Sequence, residues 1–92
     1  MSVHLKIDWL GGKCPVQAEG TINGKPFYFR ARGEEWSLSI GGEDVVCDPD
    51  WYYEEPYGDE PFMAGWMPED EARKFISKGA RLFADLHAEE GQ

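Results

Sequence analysis

"TINGKPFYFRARGEEWSLSI", residues 21–40, decides the fold. Asn23-Gly24 is the dipeptide best suited to the positive φ angles of a type I′ hairpin turn, and an alternating run lies on each side of it. "VQAEGTI" (16–22) and "PFYFRAR" (26–32) therefore predict two antiparallel strands. In the second arm Phe27, Phe29 and Ala31 share one face, leaving Tyr28, Arg30 and Arg32 on the other. Pro26 has no N–H to give a ladder and fits only the start of a strand. "GEE" then turns the chain into "WSLSI", where Trp36, Leu38 and Ile40 point inward.

Outward from this hairpin, "VHLKIDWL" (3–10) alternates with Val3, Leu5, Ile7 and Trp9 on one face and His4, Lys6 and Asp8 on the other. It predicts a half-buried strand. Four antiparallel strands in a meander follow, with "GGED" leading to a short fifth strand at "VVC" (45–47). The last third predicts a helix over 68–88, because Ala72, Phe75, Ile76, Gly79, Leu82, Phe83 and Leu86 recur at three-and-four spacing. Pro68 suits a first helical turn, and Gly79 on the apolar stripe predicts close approach of helix to sheet. The expected fold is a single α+β domain over 1–92: an antiparallel four- to five-stranded meander sheet in 1–47, an acidic, proline- and aromatic-rich arm in 48–67, and one C-terminal helix packed against the sheet.

At 92 residues the core is thin, and four Trp, four Tyr and five Phe partly offset that. The net charge of −9 is unevenly placed. Residues 33–72 hold thirteen acidic residues and no basic one, whereas 1–32 hold Lys6, Lys13, Lys25, Arg30 and Arg32 against Asp8 and Glu19. A field of this kind repels nucleic acid and anionic membrane and attracts a basic protein surface. The N-terminus lacks the basic and apolar regions of a signal peptide, and no apolar run approaches the ~20 residues of a membrane span. The expectation is a soluble, intracellular protein with Cys14 and Cys47 as free, partly buried thiols.

The stretch "CDPDWYYEEPYGDEPFMAGW", 47–66, packs six carboxylates, seven aromatics or methionines and three prolines into twenty positions without a lysine or arginine. Glu69, Asp70 and Glu71 have a local role, since they complement the helix dipole and place Glu69–Arg73 and Asp70–Lys74 at i,i+4. The carboxylates upstream have none. Glu43, Asp44, Asp48, Asp50, Glu54, Glu55, Asp59 and Glu60, with Tyr52 and Tyr53, are the candidate partner-binding residues. Carboxylates at i and i+2 of an extended chain lie ~6.6 Å apart, comparable with the phosphate spacing along a DNA strand, ~3.4 Å in axial rise and longer along the backbone path. Prolines would limit the entropy lost on docking. The competing explanation is a solvated acidic loop, or one folded back onto Lys6, Arg30 and Arg32. Trp51, Tyr52, Tyr53, Tyr57, Phe62 and Trp66 are expected to fill the core, with the three tyrosines the readiest exceptions.

A calcium loop beginning at Asp48 would place Tyr53 where glycine is needed and Asp59 where glutamate is needed, so the motif fails. His4 and His87 belong to no nucleophile or metal pattern, and no phosphate-cradling glycine motif is present. Neither a catalytic residue, a metal site nor a cofactor is therefore expected. The pair of stretches "GTINGKPFYFRARGEEWSLSIGG" (20–42) and "EEPYGDEPFMAGWMPEDEARKFI" (54–76) resembles small acidic proteins of phages and prophages. In size and charge the chain is similar to the DNA-mimicking anti-CRISPR proteins. That resemblance implies a non-enzymatic inhibitor in the bacterial host cytoplasm, acting on the large, motif-reading subunit of a type I CRISPR complex. The alternative is a phage accessory interaction module without DNA mimicry. Aromatics on a polar sheet face also leave a homodimer open, which would double the acidic surface.

Overall fold

The computed structural model describes residues 4–13, 15–57 and 64–90, and the side chains among them as far as 86. Five strands form one antiparallel sheet in sequential order: β1 (Leu5–Gly11), β2 (Val16–Ile22), β3 (Lys25–Arg32), β4 (Glu35–Ile40) and β5 (Trp51–Pro56). A short 3-10 turn (Ala64–Trp66) precedes a single helix, α1 (Glu69–Glu90). None of the described helix is long and apolar enough to cross a membrane.

The β2–β3 turn takes the expected form, with Asn23 at φ 52° and Gly24 at φ 81°. Asn23 also ties down the start of β1: its Oδ1 accepts from the His4 N–H at 2.9 Å, and its own N–H donates to the His4 carbonyl at 2.8 Å. From this turn the register follows. Ala18 pairs with Phe29, Phe29 with Leu38, Val16 with Ala31 and Ala31 with Trp36. Val16, Ala18, Ile22, Phe27, Phe29, Ala31, Trp36, Leu38 and Ile40 consequently share one face, and all are buried under α1 and the turn before it. Burial of each large apolar side chain contributes about 1.5–3 kcal/mol, so this face supplies most of what holds the sheet to the helix.

Three sequence expectations change. First, Ile7 pairs with Gly20 but Trp9 pairs with Glu19, so Asp8 is the extra residue of a β-bulge. A bulge shifts the alternation by one. Trp9 is therefore turned to the open face, 51% exposed, and Leu10 packs against the core in its place. Second, residues 45–47 form a tight turn closed by an Asp44–Asp48 bridge, and the fifth strand lies inside the acidic arm instead, at Trp51–Pro56. Aromatics and carboxylates on both faces of that stretch hid its period of two. Pro56 is tolerated because it ends an edge strand. Third, the helix buries Ala72, Ile76, Ala80 and Phe83, while Leu82 and Leu86 stay exposed. Gly79 meets the Leu38 side chain with no room for a Cβ, so the close helix-to-sheet approach read from the stripe is present.

Candidate partner-binding surface

The acidic loop between β4 and β5 is built by its own carboxylates. Gly41 and Gly42, at φ 77° and 88°, turn the chain out of β4, and the Gly42 N–H donates to Asp50 Oδ2 at 3.0 Å. Asp44 Oδ1 accepts from the Val46 and Cys47 N–H groups, both at 3.1 Å, and these donors hold its carboxyl below the usual range. Asp44 and Asp50 thus shape the loop. Glu43 and Asp48 are exposed and enter no ion pair among the described residues. The described ion pairs are Lys6–Asp8 at 3.6 Å and Lys78–Glu55 at 2.6 Å, so the loop is not folded back onto Lys6, Arg30 or Arg32. The i,i+4 helix pairs Glu69–Arg73 and Asp70–Lys74 are likewise not closed to ion-pair distance. Cys47 is a free thiol and exposed, where a partly buried one was expected. Cys14 lies outside the described residues.

Strand β5 divides the remaining candidates between two faces. Tyr52 and Glu54 project to the open side, and Tyr52 Oη donates to Glu54 Oε2 at 2.8 Å. Tyr53 and Glu55 project toward the helix, where the Tyr53 hydroxyl donates to Glu55 and Lys78 Nζ pairs with the same oxygen. The Lys78 ammonium is the main reason that Glu55 titrates below the ordinary carboxylate range. Glu55 is therefore an anchor between sheet and helix. Trp51 packs edge-on against Phe83, and Tyr57 edge-on against Phe75, so both act as core, whereas Trp66 is 61% exposed against expectation. Asp59, Glu60 and Phe62 lie outside the described residues.

Tyr57 gives a pH test of this packing. Burial, followed by its hydrogen bond to Glu71, raises its hydroxyl from 10.0 to about 12. A group whose folded value is raised contributes stability that is complete below its unfolded value and lost as pH rises through the folded one. Thermal melts should therefore lose stability between about pH 10 and 12, and Tyr57→Phe should flatten that limb.

A second acidic end appears, which adds Glu34 and Glu35, not singled out in the sequence, to the candidates Glu54 and Glu55. Glu34 and Glu35 at the β3–β4 turn meet Glu54, Glu55 and Pro56 of β5 around a concavity of about 580 Å³, with Arg32 on its wall. The β4–β5 register brings them together, since Glu35 pairs with Pro56 and Ser37 with Glu54. Without knowing that β5 exists, no signal in the sequence joins these residues. The six residues of β4 separate this end from the loop of Glu43 and Asp48 by about 17 Å. The candidate set is thus two acidic poles rather than one surface. Lys13 Nζ sits 5.5 Å from the centre of the exposed Trp66 ring. Among the described residues no three His, Cys, Asp or Glu side chains gather to hold a metal. No family model, curated protein or solved structure matches the chain.

Proposed function

We propose that the protein is a non-enzymatic inhibitor of anti-CRISPR type, whose acidic surface occupies a basic, DNA-reading site on its target. The observation that carries this reading is the β4–β5 loop, where Glu43 and Asp48 stand exposed, without an ion pair among the described residues, on a hydrogen-bonded frame supplied by Asp44 and Asp50. A frame held by backbone donors keeps the carboxylates in place before docking, which lowers the ordering cost of association. Their negative field would compete with DNA phosphates for the lysines and arginines of a motif-reading subunit in a type I CRISPR complex. The site of action would be the bacterial cytoplasm.

The test is binding to a purified type I surveillance complex with target DNA as competitor and salt varied. Binding should exclude DNA and weaken steeply with salt. Reversal at Glu43→Lys with Asp48→Lys should weaken it by at least about tenfold, equivalent to ~1.4 kcal/mol, with the melting curve unchanged. Reversal at Asp44, Asp50 or Glu55 would confuse binding with folding, because those carboxylates hold the backbone or the helix. Salt-insensitive binding, or full inhibition by the double variant, would sink the mimicry.

A second reading, an accessory interaction module, is favoured by the indoles of Trp9 and Trp66, 51% and 61% exposed. Tryptophans are frequent interface anchors. In that case Trp66→Ala should abolish partner binding while the charge reversals leave it unaffected.

A further inference from the structure

The open face of the sheet carries a pair of arginines, of which only Arg32 borders an acidic pole. Arg30 and Arg32 lie two residues apart on β3 and so point to the same side, ~6.6 Å from one another along the strand. Arg30 is flanked in register by Gln17 and Ser37, both neutral. Among the described residues neither arginine has a carboxylate within ion-pair distance, although the chain carries eighteen acidic residues. Arg30 is half-buried, and its Nε is shielded from water with no acceptor among the described residues. An unsatisfied buried donor of this kind calls for a partner. Beside it lies a concavity of about 250 Å³ lined by Arg30, Arg32, Glu35, Ser37 and Tyr52.

We propose that this concavity is an oxyanion site for a carboxylate, bound through the Arg30 guanidinium with Arg32 at its rim. The charge of the lining selects the class. Two guanidiniums stand against the Glu35 carboxylate of the lining and the Glu54 carboxylate held by Tyr52, so these surroundings oppose a phosphate dianion more strongly than a monoanion. Donor supply points the same way. Tyr52 Oη already donates to Glu54 Oε2, so the charged donors of the lining are those of the guanidiniums. Their planar fork matches the two oxygens of a carboxylate. The site goes beyond the inhibitor reading, which uses the loop between β4 and β5.

The test follows the arginine Nε–H signals by NMR while sodium acetate replaces sodium chloride at constant ionic strength. A saturable shift of the Arg30 signal is expected. Arg30→Lys should weaken acetate binding about tenfold, read on the Arg32 and Tyr52 signals, with the backbone amide spectrum keeping its dispersion. Arg32→Lys should weaken it by a smaller factor. A parallel titration with a capped Gly-Glu-Gly peptide separates the sources: tighter binding than acetate assigns a polypeptide side chain, equal binding a small acid. The proposal is overturned if acetate gives no saturable shift, if chloride gives the same one, or if inorganic phosphate binds more tightly than acetate.

Discussion

Gly20→Ala is expected to lower stability by about 3 kcal/mol, and the melting temperature by roughly 10–25 °C. Gly20 lies in β2 opposite Ile7, next to the β1 bulge. A Cβ there would overlap the Lys6 carbonyl oxygen, stand 2.7 Å from Phe27 Cε2 and 3.0 Å from the Ile7 Cα. Two of these neighbours are backbone, which no rotamer change moves aside. Accommodating a methyl group means parting β1 from β2, and with it the cover that Leu5, Ile7 and Leu10 give to the core. The control is Gly24→Ala, where a Cβ meets nothing within 4 Å and only the positive φ of 81° is penalised. That change should cost about 1 kcal/mol. Equal losses for the two variants in chemical denaturation would show that β1 does not approach β2 as closely as described.

Trp36→Ala should cost about 3–5 kcal/mol, because it opens a cavity at the centre of the domain. Trp36 is fully buried, stacks on Phe75 at a centroid distance of 5.1 Å and contacts Phe29 and Tyr53 at 5.8 and 5.7 Å. It therefore joins β3, β4, β5 and the helix in one aromatic cluster. Its Nε1 is buried with no acceptor among the described residues. Trp36→Phe removes that orphan donor along with part of the ring, so relief of a penalty of about 1–3 kcal/mol offsets some of the lost packing. The phenylalanine variant should be clearly more stable than the alanine variant in the same denaturant series. If the two are equally destabilised, Nε1 has a partner and the indole is held by more than packing.

Much of the fold was legible in the chain. Asn23-Gly24 demanded a tight hairpin, and the alternation of Phe27, Phe29 and Ala31 against Tyr28, Arg30 and Arg32 set both the inner face and the register. Trp36, Leu38 and Ile40 extended that face, and the stripe from Ala72 to Phe83 supplied its lid. These features are local: each needs only a turn preference or a period of two or 3.6, and each is written within a dozen residues. The charge partition was equally plain, since composition needs no coordinates. Around the candidate surface local signals failed. Trp51–Pro56 carries aromatic and acidic groups on both faces, so its strand period appears only once β4 offers an edge to pair with. The bulge at Asp8, which turns Trp9 outward, depends on the approach of Gly20 to the Lys6 and Ile7 backbone, a contact between separate strands.

What the sequence determined by itself, then, is the hairpin, the meander, the helix and an acidic excess concentrated in 33–72. Only the tertiary structure decided how that excess is used. It assigned Asp44 and Asp50 to the backbone of a loop, gave Glu55 to Lys78, left Glu43 and Asp48 exposed, and joined Glu34 and Glu35 to Glu54 at the far end of the sheet. The reason is physical: hydrogen bonds and ion pairs act over a few ångströms, so a carboxylate's role depends on which donor the strand register and helix packing bring within reach.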